Sequence, residues 1–371
     1  MASARQVRGQ AMRFACVVAA VALVGAACGG SKKVAAPKVT ASATSTPPPA
    51  ASQSPAPPPP PPVCPLTGQT PAGGAVPNRP TLAIKVENAP ESRPPVGLDA
   101  ADIIYEEPVE GGITRFVVMY QCKDAARVEP VRSFRQADVY MTNQTGKALM
   151  SSAGGSPPTQ EALAAAVKAG WLVDVGYSNG GGYGRDSRPN PHNLYTSTTA
   201  LYARPDAQIG GTATPIFTYS ANPAPGGPGA LIHANFSSYS DVYWHWTASA
   251  GAYQRYYANS PANLANGGII SAQNVIIQRV PVTMSWWIED PSGSHQPVPN
   301  LLGSGPTLVC RAGTCVTGTW WRPGEGMGQP TYYRDAAGKP IDLTPGVTWV
   351  ELVPSSVTGA TAIPVGSYSA Q

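Results

Sequence analysis

Residues 102–120 read DIIYEEPVEGGITRFVVMY. Residues 102–106 and 115–120 are rich in β-branched and aromatic types and read as two short strands. Charge sits inside this apolar text: Asp102 precedes Ile103-Ile104, Glu106 and Glu107 follow Tyr105, and Arg115 precedes Phe116. A charge at a strand end in such surroundings must be paired or must face a polar cleft, because desolvating it alone is costly.

Working outward, residues 81–87 (TLAIKVE) and 148–152 read as further strands. Residues 159–169 (TQEALAAAVKA) read as a helix, with Thr159 as cap, Glu161 in the first turn and Gly170 as the stop. Residues 180–193 read as a Gly-, Pro- and Arg-containing loop. After a second loop at 221–229 the texture changes. Residues 241–247, 253–257, 274–280, 283–289, 307–310, 316–321 and 348–353 are all strand-like, with turns at Asn266-Gly267 and Ser292-Gly293. The predicted fold class is α+β: a mixed α/β N-terminal domain over 64–220, then a mainly β C-terminal domain over 230–356. Six of the eight Trp lie between Trp244 and Trp321 in three close pairs, which read as packed core or as an exposed glycan-binding platform.

The chain has 371 residues, with 39 Gly and 41 Pro but only 12% charged residues. Twelve prolines fall between Pro37 and Pro65, so the remainder is long enough for two ordinary domains and a wholly disordered chain is excluded. No stretch after residue 30 approaches ~18 consecutive apolar residues, which excludes a polytopic membrane protein. The net charge of +4 comes from the first 63 residues, which hold six Lys/Arg and no acid; the rest carries 19 bases and 21 acids. A slightly acidic folded part, without a basic stripe interleaved with aromatics, argues against nucleic acid as a partner.

Arg5, Arg8 and Arg13 precede an apolar run at 14–24, and Gly25-Ala26-Ala27-Cys28 follows. A basic head, a short apolar segment and small residues describe a signal peptide over 1–27. The Cys directly after the small residues resembles a bacterial lipobox, in which the Cys thiol is diacylated, so Cys28 is the predicted lipidation site. Residues 28–63 are mostly Ala, Ser, Thr and Pro and read as a disordered tether. At ~3.1 Å per residue such a tether reaches roughly 110 Å. The expected address is extracytoplasmic, on the outer face of the cell membrane, with the lipid anchor as the membrane contact.

Beyond these, Cys64, Cys122, Cys310 and Cys315 remain, an even number in an exported chain. Cys310 and Cys315 flank Arg311-Ala312-Gly313-Thr314 between apolar runs, which reads as a hairpin tied across its loop. A bond between Cys64 and Cys122 would pin the start of the folded region to a strand. No pair has Cys-x-x-Cys spacing, so no metal is predicted.

Seventeen charged residues crowd into positions 85–138. One reading is a cleft in which Arg93, Arg115, Arg132 and Arg135 grip an anion by bidentate bonds, with Glu106 or Glu110 as base or hydroxyl acceptor. The other is a buried Arg–carboxylate network that holds loops. Arg188 and the run Pro189-Asn190-Pro191-His192-Asn193 supply a second candidate: two prolines stiffen the backbone before His192, which could be an acid or a ligand, or a hydrogen-bonded structural residue. There is no His-Glu-x-x-His, no Gly-x-Ser-x-Gly and no Walker loop, and no cofactor is predicted.

Several strings together resemble a known family. Pro65-Leu66-Thr67-Gly68, residues 103–116, Glu129-Pro130-Val131-Arg132-Ser133, Ala153-Gly154-Gly155-Ser156-Pro157 and residues 191–196 are similar to the YerB-like lipoproteins of Gram-positive bacteria, as are residues 274–278, 318–320 and 345–349. The resemblance spans about residues 65 to 353 and implies an extracytoplasmic lipoprotein with two consecutive domains of unknown function. It implies no reaction. A His that the family often carries shortly after Tyr-x-Arg is absent after Tyr253-Gln254-Arg255.

The leading expectation is a membrane-tethered protein that binds an anionic cell-envelope ligand through an Arg/Glu/His cleft. Its ligand-binding candidates are Arg93, Glu106, Glu110, Arg115, Arg132, Arg135, Arg188, His192 and Asn193. The alternatives are a wall-glycan hydrolase or transferase with Glu106, Glu110 and His192 as catalytic candidates, and a scaffold whose Trp-rich β part docks an envelope protein.

Overall fold

The two strands of the 102–120 stretch form, pair with each other and lie in the middle of a large sheet. The computed structural model describes residues 61–357 and 361–363. The predicted signal peptide, Cys28 and the tether up to residue 60 lie outside the described residues.

Five strands come from the first half: β1 (Leu82–Glu87), β2 (Ile103–Pro108), β3 (Thr114–Tyr120), β4 (Ala148–Ser151) and β5 (Leu172–Asp174). A small separate hairpin pairs β6 (Tyr183–Arg185), inside the stretch 180–193 read as loop, with β7 (Leu194–Thr196) just after it. The second half adds β8 (Leu231–Ser237), β9 (Ser240–Thr247), β10 (Ala252–Tyr257), β11 (Asn274–Val280), β12 (Val282–Ile288), β13 (His295–Pro299), β14 (Gly303–Arg311), β15 (Thr314–Arg322), β16 (Tyr332–Asp335) and β17 (Thr348–Pro354). The helices are α1 (Asp138–Thr142), α2 (Pro157–Lys168) and α3 (Thr198–Tyr202). The fold is mixed and mainly β.

The large sheet runs β16–β15–β14–β11–β17–β2–β3–β1–β4–β5, so one sheet takes strands from both halves. The join is β17, which lies parallel to β2 on one side and parallel to β11 on the other. β2 and β3 pair antiparallel across a turn in which Gly111 (φ 73°) and Gly112 (φ 74°) are both left-handed, a conformation that suits glycine. Every residue of β1, β2, β3 and β17 is buried. Such strands, covered on both faces, read as near-continuous apolar runs instead of alternating ones.

The two covers differ. β8, β9 and β10 make a second sheet, which Thr361–Ile363 extends at the β8 edge. Its Ile232, Phe236, Trp244 and Tyr253 pack with Ile84, Ile104, Phe116 and Trp349 of the large sheet. On the opposite face, Phe134, Val139 and Met141 near α1, and Leu163 and Ala166 of α2, pack on Ala83, Tyr105, Val117 and Val350. Trp349 meets Phe116 and Trp244 edge-on, each at 5.1 Å between ring centroids. Trp244 and Trp320 are core residues too, whereas Trp286 is 83% exposed and Trp321 40% exposed, so the Trp pairs divide between core and surface.

Two disulfides form. Cys64–Cys122 ties residues 58 apart, and Cys310–Cys315 crosses the end of the β14–β15 hairpin. In the chain-entropy account a loop as long as the first is worth about 4 kcal/mol.

Two local readings change. α2 begins at Pro157 with Ser156 as its N-cap, not at Thr159: Pro157 and Pro158 fit the first turn, where their missing N–H groups and fixed φ are no handicap. β8, where no strand was expected, is a strand with inward and outward residues alternating from Ile232 onward. Its His233 stacks on Tyr243 at 4.4 Å.

Because β17 joins both halves, Trp349→Ala should cost about 3–5 kcal/mol and lower one calorimetric transition that reports both halves. Two well-separated transitions, only one of them shifted, would contradict a shared core.

Candidate functional site

Alternation along β2 sends Ile104 and Glu106 toward the second sheet, and Tyr105 and Glu107 toward the helices. The ionic groups of the central strands therefore fall into two separate knots.

On the second-sheet side, Arg255 of β10 donates from Nη2 to both oxygens of Glu106, at 2.8 and 2.9 Å. Glu106 also accepts from Thr114 Oγ1 at 2.6 Å and from Asn88 Nδ2 at 3.3 Å. Glu351 of β17 stands beside Glu106 in register and accepts from Trp244 Nε1 at 2.7 Å. Burial, and then the Glu106 charge, hold the Glu351 carboxyl far above its ordinary range. The Arg255 guanidinium is bonded to Glu106 alone, and Glu351 is left with the Trp244 bond. Arg93 lies at the rim of this knot, 3.5 Å over the Tyr257 ring, donating from Nη2 to Asn88 O at 2.9 Å.

On the helix side, Lys85 Nζ is bonded to Glu107 and, at 2.7 Å, to Asp138 at the start of α1; all three side chains are fully buried. Burial, with Asp138 adding to it, pushes the Glu107 pKa up to about 8. Nearer the strand ends, Glu87, Arg115 and Glu107 form a cross-strand row over β1, β3 and β2. Glu87 is held by Arg132 Nε at 3.0 Å and by His192 Nδ1 at 2.8 Å. Arg132 and His192 keep 20% of their side-chain surface in solvent.

Arg135 makes a bidentate pair with Glu110, Nε to Oε1 at 2.8 Å and Nη2 to Oε2 at 2.5 Å. Its Nη1 lies 3.2 Å from Glu289 Oε1. Glu289, from the loop after β12, accepts from Ser156 N at 3.1 Å, Ser156 Oγ at 2.7 Å, Thr159 Oγ1 at 2.6 Å and Trp287 Nε1 at 2.9 Å. Burial alone would raise its pKa, but the Thr159 bond, the Arg135 charge and the Ser156 and Trp287 bonds outweigh it and hold it below the usual range.

Arg115 lies between these groups and differs from them. It is 6% exposed, its Nε has no partner, and its one bond is a long 3.4 Å contact from Nη1 to Ser133 O. Among the described residues no carboxylate stands within ion-pair distance of it. Burial first, then the charges of Arg135 and Arg132, lower its pKa to about 9.

The structure thus brings together Arg115, Arg132, Arg135, Glu110 and His192 from the predicted set. Glu106 and Arg93 lie in the other knot, across the sheet. Arg188 donates to Ser92 O and Pro94 O of the segment between β1 and β2, both at 3.2 Å, and Asn193 accepts from Arg185 Nη1 at 2.7 Å within its own loop. Glu106 and Glu110 lie on opposite faces of the sheet, each in a buried ion pair, and share no space across which both could work on one bond. Glu87, Glu289, Ser156, Thr159 and Arg255 are the functional-looking residues that sequence reading left out. Glu289 closes the run Trp286-Trp287-Ile288-Glu289, and that acid after an aromatic strand was the one available signal.

A sheet shared by two sequence halves, with ionic knots on both faces, marks a two-part protein that cannot be divided at the middle. The halves match, in order, the N-terminal domain (residues 66–211) and the C-terminal domain (residues 232–350) of a family described as proteins of unknown function, DUF3048, and the chain belongs to that family. It is similar to YerB of Bacillus subtilis (strain 168), which is named as a candidate lipoprotein: 27% identical over 299 residues, 78% of this chain and 86% of that protein. The crystal structure of Bacillus subtilis YerB shares the fold, with a TM-score of 0.66 at 23% identity over 78% of this chain and 96% of that one.

Glu107 gives a pH prediction. Its folded pKa of about 8 stands above the ordinary 4.5, so between those values the folded state holds the extra proton. The Glu107 contribution to stability is therefore full below pH ~4.5 and is lost as pH rises toward about 8. Denaturant titrations at pH 5 and 8.5 should show wild type losing more stability over that interval than Glu107→Gln; equal losses would show that Glu107 is charged throughout.

Proposed function

We propose that this chain is a membrane-tethered envelope protein that binds an anionic ligand at the cluster of Arg115, Arg132 and His192. The ligand class is a carboxylate- or phosphate-bearing glycan or peptide of the cell envelope. The observation that carries this reading is Arg115, a buried guanidinium that enters no ion pair, has an unpartnered Nε and has a depressed pKa. A buried charge without a counter-charge is strongly unfavourable, and a bound anion would supply one. Arg132 and His192 are its solvent-reachable neighbours, both turned onto Glu87. Guanidinium groups suit planar oxyanions because they bind them bidentately.

The tethered address rests on the basic and apolar leader before Cys28 and on the similarity to YerB, named as a candidate lipoprotein. Cys28→Ser should move the protein from the membrane fraction to the soluble fraction of the producing cells. Continued membrane retention would refute the lipid anchor.

For the site, Arg115→Met and Arg132→Ala should each weaken binding to purified wall fragments by at least about tenfold, or ~1.4 kcal/mol, measured by calorimetry. Both variants should melt as one cooperative unit. Unchanged binding in both would eliminate the site.

A further inference from the structure

Four donors of the first half converge on the Glu289 carboxylate: Ser156 N, Ser156 Oγ, Thr159 Oγ1 and Arg135 Nη1. Ser156 and Thr159 lie at the N-terminus of the twelve-residue helix α2, where backbone dipoles favour negative charge, and Arg135 reaches in from the segment before α1. The occupant of this cradle comes from elsewhere. Glu289 and its companion donor Trp287 belong to the β12–β13 hairpin of the second half.

That hairpin stands outside the two large sheets. β12 and β13 pair only with each other, and their register breaks between Met284 and Ile288. Its outer residues Met284, Trp286 and Ile288 are 61%, 83% and 59% exposed. An independent observation points to a ligand: the buried Arg115, in no ion pair and with its Nε unpartnered, donates to Ser133 O, the carbonyl that Arg135 Nη1 also reaches. The charges of the cluster are also telling. Arg115, Arg132 and Arg135 face Glu87, Glu110 and Glu289, so withdrawing Glu289 leaves one positive charge in excess.

We propose that the hairpin Val282–Pro299 is a displaceable lid and that Glu289 is a built-in stand-in for the carboxylate of the ligand. This rests on the anion site proposed above and names its regulation and its ligand group. A ligand carboxylate takes the two-oxygen position now held by Glu289, bonding Ser156, Thr159 and Arg135, with Arg115 alongside. Wild type, closed most of the time, binds with its affinity reduced by the fraction that is open.

The test uses the full chain and three probes: an N-acetylated dipeptide with a free C-terminal carboxylate, its C-terminal amide, and inorganic phosphate. Glu289→Ala should bind the acid about tenfold more tightly than wild type, as expected for a lid closed about 90% of the time, and neither protein should bind the amide. A second measurement needs no variant: saturating acid should speed amide hydrogen exchange across residues 282–299 of wild type. Equal or weaker binding by Glu289→Ala, or a hairpin equally or better protected with acid present, overturns the lid. Phosphate binding as tight as the acid overturns the carboxylate assignment. If Arg115→Met loses wall-fragment binding while Glu289→Ala binds the acid like wild type, the anion site stands and the lid fails. If neither variant changes any binding, the site itself fails.

Discussion

The central strands β1, β2, β3 and β17 have no solvent on either face, yet they carry Lys85, Glu87, Glu106, Glu107, Arg115 and Glu351. Each such charge must be neutralised inside the protein, because desolvation leaves no alternative. That requirement fixes much of the remaining structure. Asp138 is drawn to Lys85 at the start of α1, Arg255 crosses from the second sheet to Glu106, and Arg132 and His192 close over Glu87. Buried pairs of this kind add little net stability over an apolar core, but removing one partner is severe. Their contribution here is to position: they set which loop meets which strand.

Arg115 breaks the rule its neighbours obey. Its sheet neighbours Glu87 and Glu107 are engaged by Arg132 and Lys85, Glu110 and Glu289 are taken up by Arg135, and only a distant carbonyl is left to it. Natural sequences tolerate such local conflicts where a function depends on them. The contrast with Arg255, whose pKa is raised because Glu106 and its neighbours outweigh burial, shows that the fold can satisfy a buried guanidinium when stability is all that is asked.

Much of the fold was readable from local pattern. Residues 81–87, 102–106 and 115–120 read as strands because their β-branched runs are short and bounded, and they became β1, β2 and β3. The helix start was misjudged because Thr159 looks like a cap, whereas the prolines before it make a better first turn. β8 was missed although its sequence LIHANFS alternates, since Ala234 and Asn235 have low strand propensity and the run holds only one β-branched residue, Ile232. For the site, the crowding of charge between 85 and 138 drew attention to Arg115, Arg132 and Arg135, which the fold brings near one another. Sequence could not tell that the turn after β2 carries Glu110 away from Glu106, nor that Arg255 comes to Glu106 and Glu289 to Arg135 from about 150 residues further on. Ion-pair choice is a long-range property of topology, which no local spacing encodes.

The place of β17 has a consequence for how the chain is made. The last long strand, Thr348–Pro354, is inserted between β2 and β11 and is not added at an edge. As the polypeptide emerges from the ribosome, or from a translocation pore, β2 must wait nearly 250 residues with one row of backbone groups unpaired. Open strand edges of this kind invite pairing with other chains. Assembly is therefore an end-of-synthesis event, and a product cut short before residue 348 cannot complete its sheet, leaving it a natural target for quality-control proteases.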